Sequence, residues 1–227
     1  MMTSSLLADT ALVAGKDLRI ELRSRTALSQ LLPFALIVLV LFAFALDPDR
    51  AVLRQAAPGL FWVTTLFVAV MSVQRSLSIE LNDGNRENLL LSQLDSSALF
   101  LGKFAAVVVQ LLTVELFLGV GVAVLYDVPG RGIGLLVAAG ILGATAIASA
   151  GVIYAALTNV SRTRDTLLPL LLLPVLAPVL IAATEVGNAA LDGTPSAAWR
   201  WLGLLGVFSF GYLLAGVLSF GSLLEDS

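Results

Sequence analysis

Polar and apolar positions in this chain are grouped in long blocks rather than alternating residue by residue. Six apolar blocks stand near 28–46, 57–78, 98–125, 132–158, 166–187 and 199–222. Each is close to the ~20 residues that a helix needs to cross ~30 Å of hydrocarbon. The pattern predicts an all-α membrane protein, a single transmembrane domain over 1–227, with six spans that leave both termini on one side. Ahead of the first block, Leu7, Ala11, Ala14, Leu18 and Leu22 recur at helical spacing, and Lys16, Arg19, Arg23 and Arg25 gather toward the end of the same stretch. Residues 5–25 therefore read as an amphipathic helix lying on the membrane surface.

The longest polar interruption runs from Gln74 to Lys103, and the chain is organised around it. Asn82, Asp83 and Gly84 supply turn chemistry: a residue tolerant of positive φ beside side chains that bond their own backbone. A short helical stretch is expected next, with Asn85 as a possible cap and Glu87 in the first turn, well placed against the helix dipole. Leu89, Leu90, Leu91 and Leu94 give that stretch an apolar side, and Asp95, Ser96 and Ser97 form a start signal for the following helix. A short amphipathic segment of this kind, about 79–97, is suited to being gripped by a cytoplasmic motor.

The spans differ in character. The fourth repeats small residues, Gly140, Ala144, Ala148, Gly151 and Ala155, which lets helix backbones approach closely where no hydrophobic drive exists between helices. The fifth carries Pro169 near its start and Pro174 and Pro178 within it, where each removes a backbone hydrogen bond and a kink is expected. Trp199 and Trp201 flank Arg200 as anchors at the outer boundary.

Composition changes the picture mainly by exclusion. Hydrophobic residues make up 58% of the chain and charged ones 13%, more apolar surface than a core of this size can hide. With no Cys and no His, thiol and imidazole chemistry are excluded, and a haem or metal site formed by this chain alone is not expected. There is no Gly-rich phosphate loop, so the chain is not expected to bind ATP itself. Its few bases lie at block edges, which argues against nucleic acid. No cleavable leader is evident, so the first span is expected to serve as an uncleaved signal. Two acids fall inside apolar blocks, Glu115 in the third and Glu185 late in the fifth. An ionised group at the bilayer centre costs about 2.5–3.5 kcal/mol on insertion scales, so Glu115 is expected to face protein or water, lining a path, clasping a partner or serving as a structural acid. Glu185, beside Thr184 and Asn188, lies nearer the outer interface.

Charge sets the orientation. Lys16, Arg19, Arg23 and Arg25, then Arg75, Arg86 and Lys103, then Arg162 and Arg164 fall on one side of the six-span arrangement, against Arg50, Arg54, Arg131 and Arg200 on the other. Basic residues favour the cytoplasm, which places both termini inside.

The run APGLFWVTTLFVAVMSVQRSLSIELNDGNRENLLLSQLDSSALFLGK, Ala57 to Lys103, closely resembles the heme exporter protein B (CcmB) family of cytochrome c maturation. The resemblance is carried by Ala57-Pro58-Gly59 with Trp62 opening the second span, Arg75 and Glu80 closing it, then Asp83-Gly84, Glu87 and the leucine run. Ser92, Gln93 and Asp95 stand where members often have Pro. The resemblance implies a permease subunit of an ABC-type transporter in the bacterial inner membrane, not itself an enzyme. It implies that a short helix after the second span docks on a separate ATPase, which assigns coupling to Glu80, Asp83, Gly84, Arg86, Glu87, Leu89, Leu90, Leu91 and Leu94. The implied partners are the cytoplasmic ABC ATPase, which supplies ATP; a heme-handling membrane subunit, which supplies heme; a heme chaperone; and a second copy of this chain. Two alternatives remain open from the residues: a permease of the same architecture for a drug or lipid, and a scaffold that transports nothing.

Because the chain lacks Cys, single-Cys probes test the orientation cleanly. Ser4→Cys, Asn85→Cys and Ser161→Cys should react only from the cytoplasmic side, and Gly130→Cys and Thr194→Cys from outside. Labelling of the Asn85→Cys chain by an impermeant reagent in intact cells reverses the orientation.

Overall fold

A computed structural model describes residues 3–24, 27–46, 50–82, 95–126, 132–158 and 164–225. Within them the chain is helical throughout. Helix α1 spans Thr3–Ser24 and is followed by a single wide turn at Ala27–Leu31 and α2 at Leu32–Ala45. Then come α3 (Arg50–Asn82), α4 (Ser96–Leu125), α5 (Ile133–Thr158), α6 (Arg164–Leu191) and α7 (Pro195–Glu225). Asp95 caps α4 as its sequence suggests, accepting the Ser97 N–H at 2.9 Å. At the turn from α6 into α7, Gly193 adopts φ of 69° and the Thr194 N–H reaches back 2.9 Å to the Ala189 carbonyl. That closes the helix end in a left-handed conformation a side chain would resist.

Five of these helices are long and apolar enough to cross a membrane: Ala51–Arg75, Ser96–Leu125, Ile133–Leu157, Leu168–Leu191 and Pro195–Leu223. They coincide with the second to sixth predicted spans. The first predicted span, 28–46, differs. Its apolar helical stretch is Ser29–Ala45, 17 residues at most, and rises only about 25 Å, short of the ~30 Å of hydrocarbon. Part of it is spent in the wide turn. By contrast α3 is longer than its apolar block, running 33 residues, about 50 Å, and continuing past Arg75 as far as Asn82.

Helix α5 holds the bundle together, packing against α3, α4, α6 and α7. Its small residues explain how. A Cβ added at Gly143 would collide with the Trp62 ring of α3, one at Gly151 would lie 2.8 Å from Val73 Cγ2, and one at Gly140 would lie 3.0 Å from Glu115 Oε2 of α4. Ala144, Ala146, Ile147, Ala148 and Ala150 are buried on the same helix. Lipid tails are as apolar as leucine, so association of spans relies on close backbone approach and dense packing, which these positions permit. A second notch joins α6 to α3, where a Cβ at Gly187 would lie 2.7 Å from Pro58 Cβ. Pro58 sits inside α3, and Pro169, Pro174 and Pro178 inside α6, yet both helices run continuously through them.

Hydroxyl groups within the spans find backbone partners, as hydrocarbon requires. Thr64, Thr65, Ser72, Thr145 and Ser149 each donate to the carbonyl four residues earlier. Other hydroxyls tie helices together. Ser209 of α7 lies 2.7 Å from the Leu142 carbonyl of α5, Tyr212 donates to the Val175 carbonyl of α6 at 2.8 Å, and Tyr126 beyond α4 donates to the Leu39 carbonyl of α2 at 2.9 Å. Tyr126 and Leu39 are fully buried, so that bond fixes the short first apolar helix against the far half of α4.

The opposite end of α4 receives both ends of the described chain. Phe100 fills the place a Cβ would take at Gly216 of α7 and packs 5.4 Å from the Phe220 ring. There too α1 crosses α4, with Val13 Cβ 2.5 Å from where a Cβ at Gly102 would lie.

Gly143→Leu should therefore lower stability by about 1–3 kcal/mol, the usual penalty of overpacking. Adding Trp62→Ala to the same chain should recover part of the loss. The check is unfolding of the detergent-solubilised protein, and an unchanged midpoint for Gly143→Leu would show that α3 and α5 do not close at this notch.

Candidate functional site

The polar segment singled out in the sequence joins α3 to α4, and the structure describes what holds its two ends. On one side α3 continues helically beyond its apolar span to Asn82, about 10 Å past Arg75. On the other, Asp95 caps α4 and Phe100 anchors its first turns against α7. Helix α1 packs along α4 and reaches α3 through an ion pair.

Two ion pairs fasten α1 in place. Lys103 Nζ of α4 lies 3.7 Å from Asp17 Oδ2, with the Lys103 side chain only 4% exposed and that of Asp17 16%. Arg75 Nε of α3 lies 4.0 Å from Glu21 Oε2, with side-chain exposures of 32% and 19%. Asp17 and Glu21 are one helical turn apart, so a single face of α1 grips α3 and α4 together. These separations exceed hydrogen-bond distance, so the pairs act through charge. In the poorly solvated Lys103 site that attraction matters most, because water screens it least there.

The sequence-predicted coupling residues divide at the end of α3. Glu80 falls on the last turns of that helix, while Asp83, Gly84, Arg86, Glu87, Leu89, Leu90, Leu91 and Leu94 lie outside the described residues. Glu115 is buried, as expected for an acid facing protein. Its Oε2 occupies the space left by Gly140, and its Oε1 is sequestered without a hydrogen-bond partner among the described residues. Glu185 is half-buried on α6, one and a half turns before the helix ends. No ion pair or hydrogen bond joins the two acids among the described residues, so they form no common site. Among the described residues, too, there is no cluster of three or more acids that could hold a metal ion.

The sequence reading missed Asp17 and Glu21. It assigned α1 to the membrane surface from its leucines. Leu7 and Leu22 are indeed strongly exposed, but Val13, Asp17 and Glu21 on another face dock the helix on the bundle. A signal did exist: two acids four residues apart on a helix otherwise rich in bases, with Arg75 and Lys103 at the borders of later spans. Nothing local pairs them.

A bundle of long apolar helices whose buried hydroxyls bond to backbone carbonyls, bound at one end by an amphipathic helix, defines a multi-pass membrane protein. Residues 9–226 match the CcmB protein family, so the chain belongs to that family. It is 31% identical over 202 residues to heme exporter protein B of Pseudomonas aeruginosa, covering 86% of this chain and 88% of that protein. Heme exporter protein B of Paracoccus denitrificans is 31% identical over 195 residues, 82% of this chain and 86% of the relative. That of Haemophilus influenzae is 32% identical over 181 residues, 78% and 80%. The matches extend well beyond the Ala57–Lys103 block, over most of the bundle.

The clasp has a graded test. Asp17→Asn, which removes the carboxylate charge beside the nearly enclosed Lys103 ammonium, should destabilise the protein by on the order of 3 kcal/mol. Combining it with Lys103→Met should recover most of that. Glu21→Gln, at the more exposed pair, should cost less than about 1 kcal/mol. Unfolding in detergent measures all three, and equal losses for Asp17→Asn and Glu21→Gln would refute the unequal roles given to the two pairs.

Proposed function

We propose that this chain is the transmembrane subunit of an ABC-type exporter complex that handles heme for cytochrome c maturation. The observation that carries the proposal is the match, over 78% or more of this chain and 80% or more of each relative, to proteins named heme exporter protein B. The membrane bundle supports the permease role, and the chain's lack of His and Cys supports leaving heme ligation to another subunit. In this reading ATP is bound and hydrolysed by a cytoplasmic ATPase partner, heme is held by a heme-handling membrane subunit, and the energy serves release of a heme-loaded chaperone. Both termini and the 79–97 segment face the cytoplasm of a bacterial inner membrane.

Coupling then runs through the ends of α3 and α4. A partner gripping Leu89, Leu90, Leu91 and Leu94 pulls on a segment whose two ends are helices already clasped by α1, so a displacement passes to both together. Arg86 and Glu87 at its start form a charged rim that sets orientation more than affinity. Truncating buried anchors at such an interface costs about 2 kcal/mol or more, roughly a 30-fold loss of affinity.

In mild detergent the intact chain should co-purify with an ATPase subunit and a heme-handling membrane subunit. Leu90→Ala combined with Leu94→Ala should insert normally, lose most of the ATPase and fail to support cytochrome c production, with Glu87→Lys milder. Retention of both the ATPase and cytochrome c by the double variant would remove the coupling role. Co-purification with an ATPase but no heme-handling subunit would instead favour a different exported substrate.

A further inference from the structure

Helix α1 sorts its charges by side. Asp17 and Glu21 turn toward Lys103 and Arg75 of the bundle, while Lys16, Arg19 and Arg23 are exposed. Lys16 Nζ also lies 4.0 Å from Asp17 Oδ1, yet its side chain keeps 49% exposure. Among the described residues Arg19 and Arg23 pair with no acid, and Asp9, the remaining acid of the helix, is half-buried. The outward face is therefore positive, although the helix as a whole is nearly balanced.

The same face carries Leu7, Leu12 and Leu22, exposed by 71%, 69% and 76%. At about 100° per residue, Leu7, Ala11, Leu18 and Leu22 fall within one arc of about 60°, and Lys16, Arg19 and Arg23 within a second arc of similar width beside it. Leu12 lies among the bases. The depth of the helix is fixed as well, because the Lys103 that anchors it belongs to the apolar span Ser96–Leu125. So α1 lies where hydrocarbon gives way to headgroups, with an apolar edge and a basic edge turned away from the protein.

We propose that this outward face is a docking site for anionic phospholipid, the leucine edge entering the acyl boundary and Lys16, Arg19 and Arg23 taking the headgroup phosphates. A lipid leaflet supplies both phases at once, next to each other and at the depth set by Lys103, which an acidic soluble partner does not. The inference rests on the membrane-spanning fold and stands independently of what the protein transports. It has a structural consequence. The face opposite the lipid is the one that clasps α3 and α4, so lipid held on α1 steadies the ends of the two helices that flank residues 83–94.

The test uses the full chain in nanodiscs of phosphatidylcholine, with and without a minority of phosphatidylglycerol. Phosphatidylglycerol should raise the unfolding temperature and be retained in preference to phosphatidylcholine when the protein is extracted. Inorganic phosphate should raise nothing. The chain carrying Lys16→Gln, Arg19→Gln and Arg23→Gln should fold in phosphatidylcholine like the unaltered one but lose the rise, with retention weakened about fivefold for each base removed. Lys16→Arg with Arg19→Lys and Arg23→Lys should keep both. Equal stabilisation of the glutamine chain by phosphatidylglycerol overturns the proposal. So does loss of a co-purifying protein subunit from that chain with the lipid response intact, which would assign the bases to a protein partner.

Discussion

Spanning helices gain nothing from leaving lipid for one another's company unless their backbones can come close enough for dense packing. In this protein that constraint is met on α5. Gly140, Gly143 and Gly151 leave space for Glu115, Trp62 and Val73, three large groups from two other helices. The remaining faces of α5 accept α6 and α7, with Ser209 reaching the Leu142 carbonyl across the second of these contacts. The bundle closes around α5 because small residues dominate the inner faces of that helix.

The outer parts follow from this core and obey a different physics. Where α3 and α4 emerge from the apolar layer, charge can be used, and α1 is fixed there through Asp17 and Glu21 rather than by bulk alone. The two pairs differ in solvation, Lys103 being nearly enclosed and Arg75 about a third exposed, so the same chemistry serves as a strong constraint at one and a weak guide at the other. Val13 adds a close apolar contact, set against the missing side chain of Gly102, along the extensive packing of α1 on α4. The ion pairs link α1 to the ends of the two helices that flank residues 83–94 in the chain. Motion imposed on that segment therefore meets helices that are already tied together.

How much of this was legible in advance depended on the range of the interaction involved. The positions of α3 to α7 followed from runs of apolar residues, the start of α4 from Asp95 with Ser96 and Ser97, and the close-packing role of α5 from Gly140, Ala144, Ala148, Gly151 and Ala155. All are local patterns whose physical meaning needs no partner to be specified. The first span was less legible. Residues 28–46 have the composition of a crossing helix, but a wide turn at Ala27–Leu31 leaves a shorter one, held by a buried bond from Tyr126 to Leu39. The burial of Glu115 could be inferred from the cost of an exposed charge, whereas its place opposite Gly140 could not.

By itself, then, the amino-acid sequence determined that the chain is helical, that it belongs in a bilayer, which stretches carry its long helices, and which family it resembles. Each of these is written in residues close together in the chain, because helix formation and transfer into hydrocarbon act on one segment at a time. The tertiary structure alone decided which side of each helix meets which neighbour. It turned the acids of α1 inward to Lys103 and Arg75, left the bases of the same helix outward, and set Trp62 into Gly143 and Phe100 into Gly216. Those choices depend on rotation of whole helices about their axes and on partners tens of residues away. One-dimensional periodicity describes a helix up to that rotation, and packing against the others is what fixes it.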